Sequence, residues 1–189
     1  MYFKRVIQNL SRSNIYLNKS NHYHTQDLTN YRSLINIKGA DSAKYLQNLI
    51  TNDINLLQNE SIKSIYSHIL NNRGRTLFDT IVYKNTFDQS GEPSYLIELD
   101  TQFINDAIKL LSVFKIKKKV EINRVNDQFK LYSVFDDESN KILEQNEIEK
   151  DLKAKNYLLT QDPRTSFLGF RLIVNNENKG NFKINNISI

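Results

Sequence analysis

Apolar and polar positions recur with clear periods along much of the chain. From Ser33 to Lys38 (SLINIK) they alternate and stop at Gly39, which predicts a short strand closed by a turn. Ala43, Leu46, Leu49, Ile50 and Ile54 then fall at three- and four-residue steps, predicting an amphipathic helix over Asp41 to Asp53 with Asp41 or Ser42 as its cap. Ser61 to Leu70 and Arg75 to Lys84 are β-rich runs separated by Asn71, Asn72, Arg73 and Gly74. That composition predicts a hairpin, with Gly74 supplying the positive φ of the turn. Tyr95 to Leu99 predicts another strand. Asp100 or Thr101 then caps a helix whose Ile104, Ala107, Ile108 and Leu111 repeat at i, i+3, i+4 and i+7.

Lys119 to Val125 and Phe129 to Phe135 alternate again. Ser139 to Lys155 is charged and reads as a helix with Ile142, Leu143, Ile148 and Leu152 on its apolar side. Asp162, Pro163 and Arg164 form a turn before a last strand from Leu168 to Val174. Hairpins mixed with helical crossovers predict an α+β fold with helices packed on a mainly antiparallel sheet, ferredoxin-like in outline. Beyond Val174 the pattern fades: six of the last fifteen residues are Asn, and residues 175–189 read as a disordered tail.

Composition then narrows the function. With 39% hydrophobic and 25% charged residues over 189 positions, the chain can bury a core, and wholesale disorder is excluded. It contains no cysteine, which excludes a disulfide framework, a Cys-ligated metal site and a cysteine nucleophile within these residues. The net charge of +5 is unevenly spread. Residues 1–26 contain no Asp or Glu but hold Lys4, Arg5, Arg12 and Lys19; removing these four from 26 basic residues leaves 22 against 21 acidic ones. An acid-free leader with Arg and Ser, and with Phe3, Val6, Ile7 and Leu10 at near-helical spacing, matches a mitochondrial transit peptide. The expected organisation is therefore a transit peptide over 1–26, one domain over 27–174 and the Asn-rich tail. His22 and His24 have no third ligand close by in sequence and read as loop residues, and no metal site is expected.

Two groups of residues are candidates for chemistry. If Arg75 to Tyr83 is extended, Leu77, Asp79, Ile81 and Tyr83 share one face, so the Asp79 carboxylate needs a donor or a pocket. It is able to accept N–H bonds from a heterocycle, or to hold a structural amine or arginine. Arg73 and Arg75, beside Gly74, either bind an anion through their guanidinium forks or are solvated turn residues. The second group is Lys115, Lys117, Lys118, Lys119 and Arg124, either a nucleic-acid groove or a solvated helix end favoured by the macrodipole. No GxGxxG, GxxxxGK, HExxH or GxSxG motif occurs.

Five segments resemble one family in order and spacing. Tyr45 to Asp53 (YLQNLITND) is similar to its "FLQGLLTND" segment and Asn71 to Asp79 (NNRGRTLFD) to its "N..GR.L.D" hairpin. Tyr95 to Asp100 (YLIELD) and Lys115 to Val120 (KIKKKV) match two further landmarks. Asp162-Pro163-Arg164 with Leu168-Gly169-Phe170-Arg171 resembles a later "DPR...LG.R" turn and strand. The family is the aminomethyltransferase-like (YgfZ/GcvT) superfamily, and within it the resemblance is to the branch of mitochondrial iron–sulfur cluster assembly factors.

The resemblance implies ferredoxin-like and related α+β modules around a folate-binding cavity. It implies maturation of [4Fe-4S] proteins in the mitochondrial matrix alongside A-type iron–sulfur carrier proteins. It also implies a tetrahydrofolate-type ligand at Asp79, with Asn71, Arg75 and Tyr83 as further pocket or support residues, and no catalytic residue. A monomer without membrane or nucleic-acid partners is expected. A folate-dependent aminomethyl transferase and a basic nucleic-acid-binding module are the alternatives. The family's cysteine motif, "KGCY.GQE", does not follow Arg171, so a truncated architecture lacking its C-terminal part is expected, with an exposed apolar face where that part packs.

Overall fold

The computed structural model describes residues 23–136, 144–152, 156–176, 183–184 and 187–188. The strands are β1 (His24–Asp27), β2 (Arg32–Lys38), β3 (Ser64–Leu70), β4 (Thr76–Lys84), β5 (Ser94–Asp100), β6 (Glu121–Arg124), β7 (Phe129–Phe135), β8 (Tyr157–Gln161) and β9 (Phe170–Asn175). The helices are α1 (Ser42–Gln47), α2 (Ile104–Phe114) and α3 (Gln145–Asp151). They build two antiparallel sheets, ordered β3-β4-β5-β2-β6 and β1-β7-β9-β8. Two short strands, β10 (Lys183–Ile184) and β11 (Ile187–Ser188), pair with each other. Of the predicted tail, Asn175 ends β9, and residues 177–182, 185–186 and 189 lie outside the described residues, as do residues 1–22 of the predicted leader and residues 139–143 and 153–155 of the predicted helical stretch.

Residues assigned by their composition to the leader belong in part to the fold. His24 pairs with Phe135 and Asp27 with Tyr132, while Tyr23 and Thr25 are each 3% exposed, so the folded part includes residues before Asp27. A four-residue strand without apolar alternation carries no period of its own, and its partner lies more than a hundred positions away.

Side chains of the five-stranded sheet alternate between two cores, as period two requires. Ile35, Ile37, Val82, Ile97 and Leu99 pack beneath Leu46 of α1 and Ile104, Ala107 and Leu111 of α2. On the other face Leu34, Ile81, Tyr83 and Leu96 meet Leu131, Leu158 and Ile173 of the second sheet. The outer face of that sheet, including Tyr132, Leu172 and Val174, is covered by Ile148 and Leu152 at α3. Four layers result: helices, sheet, sheet, helix.

Strands β5 and β6, joined through α2, are both antiparallel to β2 and hence parallel to each other, a split βαβ unit. The order β3-β4-β5-β2 places three antiparallel steps between β2 and β3, so the crossover through α1 joins antiparallel strands instead. Helix α1 is also shorter than its apolar period predicts. The open edge of β3 captures the following chain: Ile50 bridges to Ile69, the Thr51 and Asn52 amides donate to Ser67 Oγ (3.1 Å each), and Asn52 Nδ2 donates to the Tyr66 carbonyl at 2.8 Å. Those strand-edge bonds compete with further helical turns and win. The predicted capping carboxylate Asp41 leaves its own helix and accepts the Lys119 amide at 2.8 Å, whereas Asp100 does cap, accepting the Gln102 amide at 2.9 Å before α2.

Candidate functional site

The inner face of the five-stranded sheet holds the candidate site. His68 on β3 lies opposite Asp79 on β4, and Arg32 on β2 opposite Asp100 on β5, in antiparallel register. Arg32 Nη2 is 3.6 Å from Asp79 Oδ2, and its Nε donates to Glu98 Oε1 at 2.8 Å. From the second sheet Arg171 reaches across: its Nη1 is 3.3 Å from the same Glu98 oxygen and its Nε donates to Asp162 Oδ2 at 3.0 Å. Arg164 grips Asp162 with two further bonds, of 2.9 and 2.6 Å, and Tyr83 donates its hydroxyl to Glu98 Oε2 at 2.5 Å. Three guanidinium groups thus face three carboxylates along one line between the sheets.

Exposure is lowest in the middle of that line, and Arg164 at its far end is 31% exposed. The Asp79 side chain is 45% exposed, that of Arg32 15%, that of Arg171 6% and that of Glu98 0%. The electrostatics follow. Burial raises the Tyr83 hydroxyl well above the ordinary tyrosine range and the neighbouring Glu98 charge adds to it, so this hydroxyl remains a donor. For Asp162 burial pushes upward, but the hydrogen bonds and charges of Arg164 and Arg171 outweigh it and hold the carboxyl below its ordinary 3.8.

That sign has a measurable consequence. A carboxyl with a depressed folded-state pKa contributes stability that is present above 3.8 and lost as pH falls through the lower folded value. Urea midpoints of the wild type and of Asp162→Asn are expected to differ most at neutral pH and to converge towards pH 3. A gap that stays constant over that range would show that Asp162 makes no proton-linked contribution.

Two donors in this network are buried without a hydrogen-bond partner, Arg32 Nη2 and Arg171 Nη1. Each sits near a carboxylate, yet neither forms a hydrogen bond to it. Each is held by charge alone, Arg32 to Asp79 at 3.6 Å and Arg171 to Glu98 at 3.3 Å. Among the described residues no group of three or more His, Cys, Asp or Glu gathers as a metal site, and His24 instead packs its ring against Phe135.

The four residues expected at the pocket occupy different situations, and their neighbour Phe78 another. Asp79 stands at the mouth of the network, on the face it shares with Ile81 and Tyr83. Tyr83 is completely buried behind it, holding Glu98, and presents no ring surface for stacking. Asn71 builds the hairpin: its Oδ1 accepts the Arg73 and Arg75 amides at 2.9 and 3.0 Å while Gly74 takes φ 74°. Arg75 is exposed on that turn. Phe78 points to the helical side, 5.9 Å from Phe103. Glu98, Arg32 and Arg171 were not singled out as site residues, although Glu98, a carboxylate within the apolar strand YLIELD, carries the same signal that marks Asp79.

No family model matches the chain. Sequence relatives do. The chain is 31% identical over 163 residues to the mitochondrial iron–sulfur cluster assembly factor IBA57 homolog of Dictyostelium discoideum, covering 77% of this chain and 40% of that protein. The mitochondrial factor IBA57 of Mus musculus is 30% identical over 152 residues, covering 77% and 42%, and that of Homo sapiens 28% over 152 residues. This chain is a homologue of the IBA57 assembly factors. It spans about two fifths of the length of the curated relatives it matches. The glycine cleavage system aminomethyltransferase T of Bartonella henselae superposes with a TM-score of 0.57 over 81% of this chain and 42% of that one, at 16% identity. The fold is therefore the one expected from the motifs, an α+β arrangement of the aminomethyltransferase type.

Proposed function

We propose that this IBA57 homologue acts in mitochondria as an iron–sulfur cluster assembly factor. In this reading it assists maturation of [4Fe-4S] proteins in the matrix, as a monomer working with A-type carrier proteins. The observation that carries the proposal is its 30–31% identity to factors of that name over 77% of the chain. Because these 189 residues contain no cysteine, thiolate ligation of a cluster has to come from outside them. Their part is then to bind and orient rather than to coordinate.

The mouth of the inter-sheet network is the site proposed for a reduced folate. The residues present fit: Asp79 is open enough to accept N–H bonds from the amino-pyrimidine edge of a pterin, with the Arg32 guanidinium 3.6 Å behind it. A bound tetrahydrofolate would supply a one-carbon carrier. Arg32 would orient Asp79, while Glu98, Tyr83 and Arg171 keep Arg32 in place and exclude water from behind. The fold likeness to an aminomethyltransferase, at 16% identity, speaks only for architecture. A transferase would show glycine-dependent folate turnover, which the assembly role does not require.

Calorimetric titration with 5-formyltetrahydrofolate is expected to give binding heat. Asp79→Ala should weaken that binding about 10- to 100-fold, the worth of a hydrogen bond to a charged group, with an unchanged melting temperature because Asp79 is half exposed. Absence of heat with the wild type would remove the pocket proposal. For the assembly role, the chain should restore a mitochondrial [4Fe-4S] enzyme activity in cells depleted of their IBA57 factor, and failure to do so at normal expression would count against it.

A further inference from the structure

The opposite, helical side of the molecule carries a surface that the inter-sheet network does not use. Val113, Phe114 and Ile116, at the end of α2, are 59%, 44% and 73% exposed. Single exposed apolar side chains are ordinary, but three within four residues are not scattered. The turn that displays them is well held. Lys115 donates its amide to the Ser112 carbonyl (3.3 Å) and Lys118 to that of Lys115 (2.9 Å), Lys117 takes φ 57°, and the Lys119 amide is tied to Asp41.

Phe114 also forms one wall of a cleft of about 260 Å³, lined besides by Tyr45, Leu49, Leu70, Asn71 and Lys118. Lys118 lines the cleft, and Lys115, Lys117 and Lys119 stand on the same turn; among the described residues none of these ammonium groups has an ion-pair partner.

We propose that this surface docks an acidic segment of a partner protein, which inserts one large apolar side chain into the cleft while its carboxylates meet the lysines. The cleft is smaller than the roughly 300–1,000 Å³ of pockets for whole small ligands, and suits a single anchor residue ringed by charge. Charge complementarity selects the sign of the partner: four lysines in five positions attract an acidic chain and repel a basic one. The concavity separates a protein segment from an anionic bilayer, because a lipid surface meets the lysines without filling the hole. This inference is independent of the folate reading, since the two surfaces lie on opposite faces of the five-stranded sheet.

The chain contains no tryptophan, so tryptophan fluorescence of a bound peptide can be read without background. Selection from a displayed random peptide library on the intact protein is expected to converge on an aromatic or leucine residue flanked by Asp and Glu. A tryptophan-bearing member, measured in solution, should bind about tenfold or more weakly to the triple variant Lys115→Glu, Lys117→Glu, Lys119→Glu, and should weaken as salt rises. Ile116→Ser should weaken it too, with circular dichroism and melting temperature unchanged in both proteins. The proposal is overturned if no acidic consensus emerges or if the selected peptide binds the charge-reversed protein equally well. It is overturned as well if phosphatidylserine vesicles bind with the same lysine dependence, or if the wild type dimerises through this face and Ile116→Ser abolishes the dimer.

Discussion

Replacing Glu98 by alanine is expected to lower the unfolding free energy by about 3–5 kcal/mol, the usual cost of removing one partner from a buried ion pair. Glu98 has no exposed surface and touches three groups from three strands: Arg32, Arg171 and the Tyr83 hydroxyl. Without it Arg32 retains only Asp79 at 3.6 Å, and Arg171 retains Asp162 while its Nη1 faces an empty position. Hydrophobic gain at an alanine cannot offset two stranded guanidinium charges between packed sheets. For a chain of this size the melting temperature should fall by roughly 6–20 °C. Glu98→Gln keeps the volume and one acceptor but removes the charge, and is expected to recover less than half of the loss. Urea unfolding of the three proteins decides the matter, and a loss under about 1 kcal/mol for Glu98→Ala would mean that water reaches the arginines.

Gly169→Ala is expected to be nearly as damaging, for a reason of backbone geometry. Gly169 has φ 70° and ψ −128°, and a Cβ there would stand 2.1 Å from the Val134 carbonyl oxygen. Its own carbonyl accepts the Asp162 amide at 2.8 Å, so the same residue closes the turn that presents Asp162 to Arg171. Conformational strain of about 1–3 kcal/mol and a steric displacement of about 1–3 kcal/mol add up to a loss of about 2–6 kcal/mol. Gly74 separates the two contributions. It also has positive φ, at 74°, but nothing lies within 4 Å of its added Cβ. Gly74→Ala should therefore cost only about 1–2 kcal/mol, the left-handed penalty alone. Equal losses at the two positions, measured by chemical unfolding, would contradict the close approach of β7 to Gly169.

Much of the five-stranded sheet was readable because its signals are local. Alternation in SLINIK, the apolar run YLIELD, the i, i+3, i+4 repeat of α2, and the Asn-rich turn ending in Gly74 each concern residues a few positions apart. The second sheet was less legible. Strand β1 pairs with β7 across more than a hundred residues, and β8 is a short apolar run that gave no alternation to recognise. Helix α1 shows local periodicity losing to a tertiary contact, since the edge of β3 takes the amides of Thr51 and Asn52.

The candidate site divides in the same way. The sequence alone determined that Asp79 shares a strand face with Ile81 and Tyr83, because side-chain alternation is a property of the extended backbone, and its motifs pointed to the right fold. Only the tertiary structure decided what meets that carboxylate. Arg32 and Glu98 are 66 residues apart, and Arg171 arrives from a different sheet. Which charges neutralise one another depends on how two sheets stack, and no local period encodes that registry. Burial then turned Tyr83 from a candidate ligand contact into a fixed donor behind the site, an outcome set by the packing of the second sheet against it.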